Sequence, residues 1–147
     1  MSISKALGLP AIGCAALLAS LAAGACDLKV ESAWIRSAPA SATTLAAYAV
    51  LSNTGTSLLK ITSTTAPSMQ MAMLHESSIV NGVAQMRMLD SLSIPAGAKL
   101  ELAPGGKHIM LMGMKGVPKA GDHVTIIFTD SLGCATSAEF SVQANAP

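Results

Sequence analysis

Beyond the first 26 residues the chain breaks into short runs rich in Val, Ile, Leu and Thr, divided by turn-forming clusters. The dividers are Asn53-Thr54-Gly55, Asn81-Gly82, Pro95-Ala96-Gly97, Pro104-Gly105-Gly106 and Gly121-Asp122. None of the later runs sustains helical periodicity with capping residues. Regularly spaced short strands of this kind predict an all-β sandwich or barrel. The expected strands are 28–36, 45–52, 58–65, 69–77, 83–89, 98–103, 107–114, 123–129 and 136–143. There is no linker, low-complexity tract or internal repeat among them.

The start of the chain has a different pattern. A weakly positive Met1–Lys5 precedes Ala6–Ala23, a run without charge that ends in the small-residue pattern Ala23-Gly24-Ala25. Small residues at this place are what a signal peptidase cuts. A membrane-spanning helix needs about 20 strongly apolar residues, and this run is dominated by Ala and Gly. The expected organisation is therefore a cleaved signal peptide over 1–25 and one exported domain over 26–147, with no membrane span left after cleavage. Cys14 leaves with the leader, so Cys26 and Cys134 remain. Two cysteines in an oxidising compartment most often pair. A bridge closing more than 100 residues stabilises a fold by about 4–5 kcal/mol in the chain-entropy model. Two other fates stay open for Cys26. It could stay a free thiol, or carry a lipid anchor, although Ala23 stands where that signal normally wants Leu.

Composition narrows the function. Only 12% of residues are charged, against about 25% in an average soluble domain. The formal net charge is +1, and loss of Lys5 with the leader brings it near zero. This excludes a basic nucleic-acid binder and whole-molecule electrostatic steering. One Trp, one Tyr and two Phe are too few for base stacking or an aromatic cage. No nucleophile–base pair, phosphate-cradling loop or carboxylate dyad has recognisable spacing, so no enzyme is expected. The unusual count is nine methionines, eight of them between Met69 and Met114.

Strand geometry gives those methionines a common direction, because residues two apart share a face. Met69, Met71, Met73 and His75 fall on one face of the fourth expected strand, and Met86 and Met88 on one face of the fifth. His108, Met110, Met112 and Met114 share a face of the seventh. With Asn81-Gly82 as a two-residue turn, Val80 pairs with Val83 and His75 with Met88. Met86 then lies diagonally from His75, about 7–8 Å away between backbone positions. Thioether sulfur is soft and imidazole nitrogen borderline, a donor set that suits Cu(I) rather than Mg²⁺, Ca²⁺ or Mn²⁺. Zinc sites use thiolate, imidazole or carboxylate. Met69, Met71 and Met114 read as core or loose surface residues. Met73, Met88 and Met112 either line the site or act as transient ligands. His123, Lys107, Arg36 and Glu76 read as solvated, and Trp34 as core.

The spacing His75, ten residues, Met86, twenty-one residues, His108, one residue, Met110 resembles the motif of the periplasmic copper chaperones of the PCuAC family. Ala33-Trp34-Ile35-Arg36, Ser52-Asn53-Thr54-Gly55, Leu74-His75-Glu76 and the run Leu102–Met114 agree with it, and the similarity extends over about residues 28–142. The resemblance implies a cupredoxin-like, Greek-key β-sandwich and one exposed Cu(I) held by His75, Met86, His108 and Met110. It also implies a periplasmic monomer that passes copper to a receiving protein, such as cytochrome c oxidase subunit II at its CuA site, or to another periplasmic carrier. Glu76 stands where many relatives have a further methionine, and the His/Met-rich tail of some relatives is missing. Two rivals remain. A blue-copper electron carrier needs a Cys ligand with His and Met at hand, which the Ala-Thr-Ser-Ala following Cys134 lacks. The other is an exported β-sandwich interaction module that binds no metal.

Overall fold

The computed structural model describes residues 25–147 and consists, within them, of ten strands. These are β1 Leu28–Arg36, β2 Thr44–Asn53, β3 Leu59–Thr65, β4 Met71–Val80 and β5 Val83–Met88, followed by β6 Leu92–Ile94, β7 Lys99–Leu102, β8 Lys107–Met112, β9 His123–Asp130 and β10 Ala135–Gln143. Nine coincide with segments that the turn spacing predicts. The additional strand, β6, has three residues, too few for alternation to register, and pairs antiparallel with β3. Two predicted boundaries move, each for a local reason. The amide of Met69 donates to the Ala66 carbonyl (2.9 Å) in a turn, so β4 begins at Met71. Gly113 takes a positive φ of 72°, which ends β8 at Met112.

The strands run β5-β4-β8-β2-β1-β10-β9-β3-β6, with β7 also paired to β2. Every pairing is antiparallel except β1 with β10. The many non-consecutive neighbours make the connections Greek-key crossovers, and the path folds into the two layers of a cupredoxin-like sandwich. Between the layers Ile35, Leu51, Ile109 and Leu111 meet Ile61, Ile94, Ile126, Phe128, Phe140 and Val142, all essentially inaccessible.

A bulge in β1 decides what lies on the other side of the sheet. The register shifts between Glu31 and Trp34, where Ser32 has a φ of 50°. Leu28 and Val30 face the core before the bulge, and Ile35 faces it afterwards. Trp34 is thereby turned to the outer face, opposite Tyr48, and is buried there rather than in the core cluster. The two rings lie 4.8 Å apart between centroids, with the Arg36 guanidinium 5.9 Å from the Trp34 ring.

Cys26 is bonded to Cys134, with Cα atoms 5.8 Å apart. This decides among the three fates in favour of the disulfide and leaves Cys26 no thiol to carry a lipid. The expected leader lies almost wholly outside the described residues. Among the described residues no helix is long and apolar enough to cross a membrane.

Candidate metal centre

The Asn81-Gly82 turn has positive φ at both residues, 51° and 76°, the signature of a type I′ hairpin. It fixes the register the sequence implies: Val80 opposite Val83, Ser77 opposite Met86 and His75 opposite Met88. On the other side of β4 the long crossover brings in β8, with His75 opposite His108, Met73 opposite Met110 and Met71 opposite Met112. The even positions Ala72 and Leu74 of β4 and the odd positions Ile109 and Leu111 of β8 go into the core. The two histidines and the facing methionines are therefore all on the outer face. Past Glu76 the hairpin runs clear of the core, and every residue of β5 is exposed.

The two imidazoles face each other with ring centroids 5.9 Å apart and planes at 69°. With metal–nitrogen bonds of about 2.0–2.1 Å, two rings sharing one ion have centroids at most about 6.5 Å apart. The observed spacing fits a shared ion. His108 is only 4% exposed, and its Nδ1 lies 3.1 Å from the Gly106 carbonyl. A carbonyl can only accept, so Nδ1 carries the proton and Nε2 keeps a free lone pair. Metal-binding histidines are commonly oriented by this kind of bond. His75 Nδ1 is buried with no hydrogen-bond partner, a rarity that calls for a physical reason. Burial, and secondarily the field of His108, hold the His75 pKa below its ordinary value. The neutral form this favours leaves the His75 ring a lone pair to offer a metal.

Met86 and Met110 flank the histidines diagonally, one on each side. With His108, Tyr48, Ser77 and Gly105 they line a cleft of about 280 Å³. Met86 is 53% exposed, and Met110 is half-buried. Three of the four predicted ligands, Met86, His108 and Met110, line this cleft, and His75 lies beside it on the same face of the sheet, opposite His108. Met88 lies directly across from His75 and is exposed. Met69 and Met114 pack against the core, whereas Met71 is a surface residue. His123 is exposed, as expected. No group of three or more His, Cys, Asp or Glu positioned for a metal occurs among the described residues; the candidate donors on this face are thioethers and imidazoles.

Two expectations need correction. Glu76 and Lys107 are not solvated singly. Lys107 Nζ donates to Glu76 Oε1 at 2.8 Å, and Arg87 donates to Oε2 through Nε at 3.0 Å and a terminal nitrogen at 2.6 Å. The bonds from Lys107 and then Arg87 hold the Glu76 carboxyl below its ordinary pKa. This cluster spans β5, β4 and β8 on the side of the sheet away from His75. It ties the three strands together and neutralises the carboxylate nearest the histidines in sequence. The Glu76–Arg87 part was accessible from the hairpin register; the Lys107 part depends on the crossover. Tyr48, whose ring centroid is 6.4 Å from that of His108, also escaped notice, because only the β1 bulge and the β2–β8 pairing reveal it. Its buried phenol has a raised pKa, mainly from desolvation.

Comparison with known proteins agrees with this fold. The family model described as "Putative lipoprotein LpqE-like" matches residues 28–142. The "Putative lipoprotein Lxx21020" of Leifsonia xyli subsp. xyli (strain CTCB07) is 34% identical over 117 residues, covering 79% of this chain and 69% of that protein. The solved copper-bound PCuAC domain from PmoF2 superposes with a TM-score of 0.67 at 16% identity, over 83% of this chain and 97% of the domain; that likeness is one of fold. The solution structure of CuI-DR1885 from Deinococcus radiodurans is 31% identical, with a TM-score of 0.65 and coverage of 84% and 83%. Apo-DR1885 is 29% identical, with a TM-score of 0.64 over 99% of this chain and 97% of that one. With its outer-face His/Met cluster on a cupredoxin-like sandwich, the chain belongs to the LpqE-like, PCuAC family.

Proposed function

We propose that this chain is a copper chaperone that holds one Cu(I) through His75, Met86, His108 and Met110 and hands it to a receiving protein. The observation that carries the reading is the facing His75–His108 pair on an open face, with a buried, unpartnered Nδ1 on His75 and a fixed tautomer on His108. Thioether and imidazole donors favour Cu(I) over hard cations. The blue-copper rival loses support, since Cys134 is occupied by the disulfide. In this reading residues 1–25 are a signal peptide, and 26–147 act as a monomer outside the cytoplasm, in the periplasm. The Cu(I)-bound DR1885 structure, 31% identical to this chain, supports the cargo. The receiving site we favour, on the family likeness, is CuA of cytochrome c oxidase subunit II, with another periplasmic copper carrier as the second choice.

The ligands differ in how they can let go. His108 is buried and locked to Gly106, so it holds the ion longest. Met86 sits on the exposed outermost strand, where an incoming donor displaces it first. Neutral ligands leave the ion its positive charge, which favours exchange with a partner's site one ligand at a time.

Anaerobic competition with a chromophoric Cu(I) chelator tests the assignment. His75→Ala and Met110→Leu should each weaken binding more than about tenfold, because losing only a group behind a ligand already costs 10–100-fold. His123→Ala should leave it unchanged. Wild-type affinity in both ligand variants would overturn the assignment.

A further inference from the structure

We infer that the same face carries a second, weaker site for a soft monovalent ion, built from the methionine pairs Met73–Met110 and Met71–Met112. The inference rests on the proposal that the chain carries Cu(I), and adds a position to it. Below the facing histidines, β4 and β8 continue in register as two further rungs, Met73 opposite Met110 and then Met71 opposite Met112. Directly opposed residues of an antiparallel pair have Cβ atoms about 4.5–5.5 Å apart. Successive same-face positions along a strand are about 6.6–6.8 Å apart. Four flexible thioethers therefore share a patch narrow enough for two or three of them to meet at one ion.

A packing role does not explain the arrangement. The core-facing positions between these methionines are Ala72, Ile109 and Leu111. Met71 is 48% exposed, while Met73, Met110 and Met112 are half-buried. The neighbouring positions on β2 are small: Ala46 opposite Met110 and Thr44 opposite Met112. Both line the cleft that holds Met86, His108 and Met110, so the open space beside His108 extends along β2 to the positions opposite Met110 and Met112. With thioethers alone as donors, this position is weaker than the His/Met site. Met110 belongs to both, which makes the lower rungs a station through which the ion enters or leaves by exchanging one sulfur at a time. The copper stays Cu(I) throughout.

The test is an anaerobic Cu(I) titration of the disulfide-bonded chain carrying ¹³C-methyl methionine, read by NMR. In the wild type the Met86 and Met110 methyls should move with the first equivalent, and those of Met71, Met73 and Met112 with the second. In His75→Ala/His108→Ala the three lower methyls should still respond. Met71→Leu/Met112→Leu, conservative changes in volume, should abolish the second step and keep the first. Static lower methyls in both the wild type and the double-histidine variant would overturn the second site, even with Met86 and Met110 responding to the first equivalent. A response of the lower methyls and Met110 without one from Met86 would instead uphold the second site and defeat the His/Met assignment.

Discussion

Asn53 shows how single polar residues hold this mostly apolar molecule in shape. Its buried amide donates to the carbonyls of Ser57 (2.7 Å) and Ile94 (2.9 Å), and its oxygen accepts from the Gly55 amide (2.9 Å). Asn53→Ala should cost about 1–3 kcal/mol in denaturant unfolding, the penalty for stranding buried partners. Glu31 acts at the surface. Lys29 (2.9 Å), Lys99 (3.2 Å) and the Ser52 hydroxyl (3.1 Å) surround its carboxylate and lower its pKa from 4.5 to about 2, Lys29 contributing most. The folded chain therefore resists protonation that the unfolded chain accepts. The resulting stability is present above 4.5 and lost as the pH falls toward 2. Wild type should exceed Glu31→Gln in urea midpoint at pH 6, and the gap should close across that window. The gap should also shrink with added salt, since the group is exposed. A gap independent of pH would contradict the carboxylate's role.

Among the elements, the β4–β5 hairpin was the most legible. Asn-Gly selects a two-residue turn, the turn sets the register, and the register opposes His75 to Met88. Gly82→Val puts a branched side chain at a φ of 76° and should cost about 1–2 kcal/mol, visible as a lowered urea midpoint at unchanged m-value. Other elements could not be read from the chain. The β1 bulge inverts the parity of Trp34, because one inserted residue exchanges the two faces of a strand. Strand β6 is shorter than one period of a convincing alternation. Met69 and Met114 continue the alternation of their stripes, yet local turns take them out of the strands and onto the core.

At the scale of the molecule, the candidate centre depends on a contact no local pattern encodes. Thirty-odd residues separate His75 from His108, and only the crossover that lays β8 beside β4 makes them register partners. The His/Met spacing pointed to the ligands through family resemblance; the fold supplies the physical reason they can share an ion. The ends of the fold are joined in the same long-range way. Cys26 and Cys134 close a separation of 108 residues, so Cys26→Ser/Cys134→Ser should lose up to about 4–5 kcal/mol by chain entropy, seen as a lower unfolding midpoint without reductant. Most direct of all is X-ray absorption at the copper edge of the chain loaded with one equivalent of Cu(I). The expected spectrum has nitrogen neighbours at about 2.0 Å and sulfur neighbours at about 2.3 Å in equal number. A shell of nitrogen and oxygen alone, without sulfur, would contradict the His75, Met86, His108 and Met110 centre.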